Sequence, residues 1–217
     1  MSLKEKLDEH SAQFERTAPK EIQVAIRRAI DAAIESGYEE RALGVGDKAP
    51  EFALADAEGR TVLSADLLKS GPLVVSFYRG VWCPFCNMEL QSLQEFSEEL
   101  RSRGANIVAI SPESGANSRR AARDYGITFP ILVDAGCKVA DEFGVLYMPP
   151  DYIQEIYVKN GIDLPKVNAA PDWRLPMPAR YLIGQDGVIR YAQINPDYTR
   201  RPEPEDLREP LDLCGID

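Results

Sequence analysis

The stretch VVSFYRGVWCPFCNMEL, residues 74–90, carries the strongest indication of the fold. It begins as an apolar run of strand length and ends as the start of a helical pattern, and Cys83 and Cys86 lie at the junction. The helical pattern continues to Gly104, and a second apolar strand, ANIVAISP, follows it. A strand, a crossover helix and a second strand predict a β-α-β unit with parallel strands and a right-handed crossover.

The alternation of helix and strand continues toward the C-terminus. NSRRAARDYG predicts a helix, FPILVD a strand and KVADEFGV a helix, and ARYLIGQDGVIRYAQI predicts a hairpin around its Asp186-Gly187 turn. Upstream, residues 43–63 predict a hairpin or a pair of edge strands, and a short helix is expected near Ser64 to Lys69. We therefore predict an α/β domain over residues 43–217, with a mixed central β-sheet flanked by helices.

Two regions lie outside this pattern. Residues 1–42 predict an N-terminal helical arm, with two amphipathic helices broken near Pro19 and with Gly37 ending the second. Residues 146–178 contain six prolines and predict one short helix within a long excursion, a kind of segment that often covers a site or forms an interface. We interpret its aromatic residues Tyr152, Tyr157 and Trp173 as packing residues in preference to pocket residues.

Composition narrows the classes of partner. The chain has 217 residues, 35 acidic and 25 basic residues and a net charge of −10, so no basic stripe is left for nucleic acid or an anionic membrane. No apolar run approaches the ~20 residues of a membrane span, and the N-terminus MSLKEKLDEH lacks the apolar core of a secretory signal. We expect a soluble, cytoplasmic protein whose four cysteines are mostly thiols.

The two central cysteines have the setting of reactive thiols. Cys83 and Cys86 lie at the start of a helix, with Pro84 at a position where a missing N–H costs nothing. The free amides and the helix dipole stabilise a thiolate there, by ~0.3–1 kcal/mol at an exposed site. Arg79 is expected to add positive charge, and Trp82 completes a Trp-Cys-Pro context that favours redox chemistry. The pattern predicts a sulfur nucleophile that attacks a disulfide or a peroxide.

A structural zinc site is the main alternative, and it lacks ligands. Zinc needs four ligands, whereas Cys137 and Cys214 are isolated in the sequence and the only histidine is His10 in the arm. We predict no metal site and no organic cofactor. Cys137 is interpreted as a small apolar residue at a helix start, and Cys214 as an inert thiol in preference to a resolving cysteine.

Pro178 bears on the same site from a distance. It immediately precedes the strand ARYLI, where a proline adopts either the cis isomer typical of special turns or the trans isomer of an extended segment. The sequence leaves both isomers open.

Four segments in order resemble the thioredoxin-fold superfamily, and specifically the alkyl hydroperoxide reductase/thiol-specific antioxidant family, which contains the peroxiredoxins. They are VGDKAPEFALADAEGRTV, GPLVVSFYRGVWCPFC, YGITFPILVD and PARYLIGQDGVIRYAQI, and the resemblance covers about residues 44–213. It implies a thioredoxin-like fold, a peroxide substrate, a thioredoxin-like or other thiol reductant and, from the family and the arm together, a homodimer.

The chain departs from the peroxiredoxin pattern at the site. Alignment from the shared Phe-Tyr gives the peroxidatic role to Cys86 and places Cys83 where peroxiredoxins have Thr or Ser. Arg79 stands in place of their proline, and Pro178 stands where they bring an arginine to the sulfur. Arg79 and Arg180 are the candidate substitutes for that arginine.

Three functions follow as hypotheses. The first is a thiol-dependent peroxidase, in which a cysteine sulfenic acid condenses to a Cys83–Cys86 disulfide that an external dithiol reduces. The second is a thioredoxin-like dithiol-disulfide oxidoreductase, in which Cys83 attacks first and Cys86 releases the mixed disulfide. The third is a redox-sensing binding module with slow peroxide turnover.

Overall fold

The computed structural model describes residues 1–214, and its centre is a seven-stranded mixed sheet in the order β2-β1-β5-β4-β3-β8-β9, beside a separate β6-β7 ladder. The strands are β1 (Ala53–Asp56), β2 (Thr61–Leu63), β3 (Leu73–Phe77), β4 (Asn106–Ser111), β5 (Ile131–Val133), β6 (Leu146–Tyr147), β7 (Leu175–Pro176), β8 (Ala179–Ile183) and β9 (Ile189–Ile194).

Helices surround this sheet. In chain order they are α1 (Leu3–Thr17), α2 (Lys20–Glu35), α3 (Tyr38–Arg41), α4 (Ser64–Ser70), α5 (Pro84–Ser102), α6 (Gly115–Tyr125), α7 (Lys138–Glu142), α8 (Asp151–Lys159), α9 (Leu164–Val167), a 3₁₀ helix (Pro204–Leu207) and α10 (Arg208–Leu213). Among residues 1–214, no helix is long and apolar enough to cross a membrane.

The β-α-β unit around the cysteines is confirmed. Every residue of β3 is buried, and β3 pairs in parallel with β4 after the α5 crossover. Val75 and Phe77 enter the main apolar cluster, whereas Val74 packs with Phe96 of α5 on the other face. Burial on both faces accounts for the continuous apolar sequence of β3. The cysteines therefore lie at the carboxyl end of a central strand.

Both expected hairpins form at the edges of the sheet. β1 and β2 pair antiparallel, and β8 and β9 pair antiparallel with a bulge between Leu182 and Ile183. β8 also pairs antiparallel with β3, and its register sets Ala179 opposite Phe77. This register places Pro178 beside the start of the cysteine loop.

The N-terminal arm packs closely on the rest of the chain. Its two helices end and begin on either side of Pro19, and Gly37 follows α2 in the left-handed conformation, as expected. Leu3 and Leu7 of α1 are buried in the same cluster as the two cysteines, and each such burial is worth ~1.5–3 kcal/mol. The carboxylate of Glu203 accepts the N–H groups of Leu3 and Lys4 at 3.0 and 2.8 Å, where the helix dipole favours a negative charge. The boundary at residue 42 remains a prediction.

The excursion over residues 146–178 holds more structure than the sequence predicted. It contains the two helices α8 and α9 and the short β6-β7 ladder, where one helix was expected. Tyr157 packs against Ala29 of the arm in one apolar cluster, and the guanidinium of Arg28 lies 4.8 Å above the ring of Tyr152. The excursion and the arm thus form a layer over the sheet end that carries the cysteines.

Candidate active site

Cys83 and Cys86 form a reduced, buried pair at the first turn of α5. Cys83 is the N-cap residue, Pro84 occupies the first turn, and both sulfurs are free thiols. The exposed fractions of Cys83 and Cys86 are 2% and 0%. Proline fits here because the first N–H groups of a helix have no intrahelical partner. The local sequence therefore fixes both sulfurs at the positive end of the longest helix of residues 1–214.

Local electrostatics lower the pKa of Cys83 and raise the pKa of Cys86. Burial opposes ionisation of Cys83, but the hydrogen bond from Cys86 and the charges of Arg79 and Arg201 outweigh it and lower the pKa of Cys83 to about 5. Burial raises the pKa of Cys86 well above its ordinary value, and the hydrogen bond to Cys83 and the charge of Cys83 raise it further. Both shifts favour Cys83 as the sulfur of the pair that ionises first.

Arg79 is a buried cation held by aromatic rings. Its guanidinium carbon lies 4.0 Å from the ring centroid of Tyr198, 4.8 Å from Trp82 and 5.8 Å from Tyr157. Its Nη2 donates to the hydroxyl of Tyr157. Tyr157 therefore belongs to the site as well as to the packing of the arm. Among residues 1–214, no carboxylate forms an ion pair with Arg79, so its nearby counter-charge is the Cys83 thiolate.

Arg201 supplies the contact to Cys86 that the sequence assigned to Arg79 or Arg180. Its Nη2 lies 3.5 Å from the Cys86 sulfur, and its Nε donates to Glu89 Oε2 at 2.6 Å. Arg180 instead donates to Glu89 Oε1 at 2.8 Å and to the carbonyl of Glu203 at 2.9 Å. Glu89, one helical turn after Cys86, therefore bridges two buried arginines.

Sequence reasoning missed Arg201 because it lies in an irregular segment after β9. The sequence carries no distinctive signal for it, because Arg200-Arg201 is one of three adjacent arginine pairs in the chain. Glu89 offered a clearer signal, since a carboxylate three residues after Cys86 lies on the same face of the helix.

A cavity of about 1100 Å³ lies between the arm and the cysteine loop. Cys83 lines it and Cys86 does not. Apolar residues of the arm form one wall and aromatic residues of the domain the other; they include Phe14, Ile22, Ile26, Trp82, Phe85 and Tyr198. Of the two cysteines, Cys83 is therefore the one that faces this cavity.

The structure also describes Pro178, Cys137 and Cys214, the other positions that the sequence singled out. Among residues 1–214 no peptide bond is cis, so the bond before Pro178 is trans. Cys137 is buried in the main cluster at the start of α7, and burial raises its pKa, which fits a small apolar residue. Cys214 is half-buried beside the α10 cluster. No group of three or more metal-ligating side chains occurs in the described part of the chain.

Comparisons with known proteins agree with this architecture. The AhpC/TSA family model matches residues 45–192. The thiol-disulfide oxidoreductase ResA of Geobacillus thermodenitrificans is 32% identical over 57% of this chain and 68% of that protein, and the chloroplastic peroxiredoxin Q of Sedum lineare is 36% identical over 54% and 64%. The chain thus spans about two thirds of the length of these curated relatives.

Solved structures give the fold. The peroxidoxin BcpB of Mycobacterium tuberculosis matches with a TM-score of 0.61 and 20% identity, covering 79% of this chain and 96% of that one. A cysteine-to-serine mutant of PrxQ from Xylella fastidiosa matches with a TM-score of 0.59 and 17% identity, covering 79% and 94%. The expected fold class, a thioredoxin-like mixed sheet with N-terminal helices, is confirmed.

Proposed function

Because the chain belongs to the AhpC/TSA family, we propose that it is a thiol-dependent peroxidase that cycles between a Cys83–Cys86 dithiol and a disulfide. The observation that carries this proposal is the pair itself: two free, buried thiols lie three residues apart in the first turn of α5, and one of them, Cys83, lines a cavity. Nucleophile and resolving thiol are therefore present in one helical turn.

The reaction needs two steps at the pair. The thiolate attacks the distal oxygen of ROOH, the O–O bond breaks, and the alkoxide takes up a proton to leave as ROH, while the sulfur becomes a sulfenic acid. The second thiol attacks that sulfur, its proton leaves with the hydroxyl as water, and the disulfide forms. A thioredoxin-like or other dithiol then transfers two electrons and two protons back to the pair.

We propose that Cys83 attacks the peroxide and that Cys86 resolves the resulting sulfenic acid. The alignment with peroxiredoxins gave the opposite order. Two features favour Cys83: its lowered pKa and its place on the cavity wall, which Cys86 does not line. Arg201, in contact with Cys86, then stabilises negative charge as Cys86 loses its proton during resolution.

The cavity supports a substrate range that includes organic hydroperoxides. Its apolar wall and its volume accommodate a substituent on the peroxide, and the smaller hydrogen peroxide also enters. A reducing cytoplasm would supply the dithiol, and a homodimer remains part of the proposal. Nucleic acid and membrane surfaces are not among its proposed partners, given the net charge of −10.

One experiment orders the two sulfurs. The reduced protein receives one equivalent of hydrogen peroxide, and mass spectrometry locates the oxidised cysteine. We expect a rapid Cys83–Cys86 disulfide in the wild type, a trapped sulfenic acid on Cys83 in Cys86→Ser, and no reaction in Cys83→Ser. Oxidation of Cys86 in Cys83→Ser at the wild-type rate would restore the order given by the alignment, and no reaction in the wild type would refute the peroxidase.

A dithiol-disulfide oxidoreductase is the second candidate, supported by the similarity to ResA. It predicts reduction of a protein disulfide faster than that of any peroxide at equal concentration. A redox-sensing module predicts a single oxidation with slow turnover even when reductant is abundant. Steady-state peroxide consumption with a thioredoxin system separates all three.

A further inference from the structure

A buried carboxylate lies beneath the cysteine loop and takes no part in the cycle described so far. Glu113 follows β4 and is completely buried. Its Oε2 accepts the N–H of Val81 in the cysteine loop at 2.6 Å. Its Oε1 is buried with no hydrogen-bond partner. An ionised carboxylate that is completely buried, with only one of its two oxygens hydrogen-bonded, destabilises the folded state, and protonation relieves that cost.

Other polar groups of the loop face the same place. A Cβ on Gly80 would lie 2.4 Å from Trp82 Nε1 and 2.8 Å from the Glu113 carboxyl carbon. The indole N–H of Trp82 is also buried without a partner, and the buried hydroxyl of Tyr78 interacts electrostatically with Glu113. The carboxylate thus sits in a polar cluster directly under the loop that carries Cys83.

The titratable groups around Glu113 favour its neutral form while Cys83 is ionised. Burial raises the pKa of Glu113 to about 7, against the Val81 N–H and the charge of Arg120 on α6, which lower it. The negative charge of Cys83 contributes to the same upward shift. Glu113 therefore becomes easier to ionise when the thiolate disappears.

The loss of the thiolate also changes the charge of the site. In the reduced state the Cys83 thiolate compensates Arg79, and the disulfide carries no charge. Oxidation therefore leaves a buried cation with less compensation, unless another group nearby becomes negative.

We propose that Glu113 stores a proton for the Cys83–Cys86 pair, holding it in the dithiol state and giving it up on oxidation. The balance is Cys83–S⁻, Cys86–SH, Glu113–COOH and ROOH on one side, and the disulfide, Glu113–COO⁻, ROH and water on the other. Two electrons pass from the sulfurs to the peroxide, and the proton of Glu113 ends on the alkoxide or on water. Glu113 does not touch the peroxide. It acts through the cysteine pair, by holding a proton that is released when the pair is oxidised.

The proposal rests on the proposed redox cycle and adds one proton to it. Without Glu113, the change from Cys83 thiolate and Cys86 thiol to disulfide releases one proton. The ratio of disulfide to dithiol at a fixed potential then changes about tenfold per pH unit, which is ~30 mV for two electrons. With Glu113 the dependence steepens from tenfold toward about 100-fold per pH unit, in the window between the pKa of Glu113 in the disulfide state and its higher pKa of about 7 in the dithiol state.

The test measures this ratio against pH in the full-length protein. We expect a dependence clearly steeper than tenfold per pH unit in the wild type and about tenfold in Glu113→Gln, which keeps an acceptor for the Val81 N–H. Asp134→Asn is the matched control, since Asp134 is a second buried carboxylate whose oxygens accept the N–H groups of Val139 and Ala140. It should keep the wild-type dependence.

A second readout does not depend on the variants. The infrared difference spectrum of wild-type protein should lose the carbonyl stretch of a protonated carboxyl group on oxidation. A tenfold dependence in the wild type, an unchanged dependence in Glu113→Gln or a persistent carboxyl band would each overturn the proton store. Failure to form any Cys83–Cys86 disulfide would overturn the proposed function with it.

Discussion

Removal of Arg201 should destabilise the protein far more than removal of a similar arginine at the surface. Arg201 and Glu89 have side chains only 2% and 3% exposed, and their atoms approach to 2.6 Å. At an effective dielectric constant of about 20, unit charges at the 2.6 Å separation attract by about 6 kcal/mol. Arg201→Met saves the desolvation of the guanidinium but leaves Glu89 with Arg180 alone. We expect a loss of roughly 3–5 kcal/mol in the free energy of unfolding.

The assay is urea unfolding of the reduced protein, followed by circular dichroism. A loss of that size corresponds to a fall in Tm of roughly 6–20 °C for a chain of this length. Arg208→Met is the matched control. Arg208 donates to both oxygens of Glu99 at 2.8 Å, a more complete contact than that of Arg201 with Glu89, but in an exposed position where ion pairs contribute little.

The unfolding midpoints of the two variants test whether burial makes the Arg201–Glu89 ion pair the more stabilising one. Equal midpoints for Arg201→Met and Arg208→Met would refute the reasoning, because burial is the main difference between the two ion pairs. A larger change of slope than of midpoint would indicate instead that the variant alters the unfolded ensemble.

Three further predictions concern the loop, the thiolate and the arm. Gly80→Ala should unfold at least ~1–3 kcal/mol more easily, since φ is +147° and the new Cβ would lie 2.4 Å from Trp82 Nε1; Gly59→Ala, with nothing within 4 Å, should cost less in the same urea titration. The pKa of Cys83, lowered to about 5, adds stability that is present at high pH and lost as pH falls from about 9 through 5; Cys83→Ser should flatten that slope in pH-dependent unfolding. Glu203→Gln should speed amide exchange in α1 by weakening the bonds to Leu3 and Lys4, whereas Glu205→Gln should not.

The sequence predicted the elements of the sheet because their signals are local. The apolar run of β3, the Asp186-Gly187 turn and the break at Pro19 each depend on a few adjacent residues, and each was found where expected. The second helix of the excursion, α9, was missed because its four residues, LPKV, contain a proline and no helical periodicity. The closing 3₁₀ helix and α10 were not predicted for the same reason, because both are short and contain a proline.

Only the site residues that are close to one another in the sequence could be predicted. Cys83, Cys86, Pro84, Trp82 and Arg79 are within eight residues of one another, and the motif brings them together by itself. Long-range contacts supply the rest. Arg201 reaches Cys86 across 115 positions, and Glu113 reaches Val81 across 32. Such contacts depend on strand order and on the path of irregular segments, and a single sequence carries no local signal for either.

The packing of Trp82 should make the proposed redox change at Cys83 visible without a label. The centroid of its indole ring lies 5.2 Å from the centroid of the Tyr157 ring, and the guanidinium of Arg79 lies over the indole. Trp82 immediately precedes Cys83 in the chain. A change of charge on that sulfur alters the field at the chromophore. Because the chain has two tryptophans, Trp173→Phe leaves Trp82 as the sole tryptophan emitter, and stopped-flow fluorescence of that variant follows each turnover in real time.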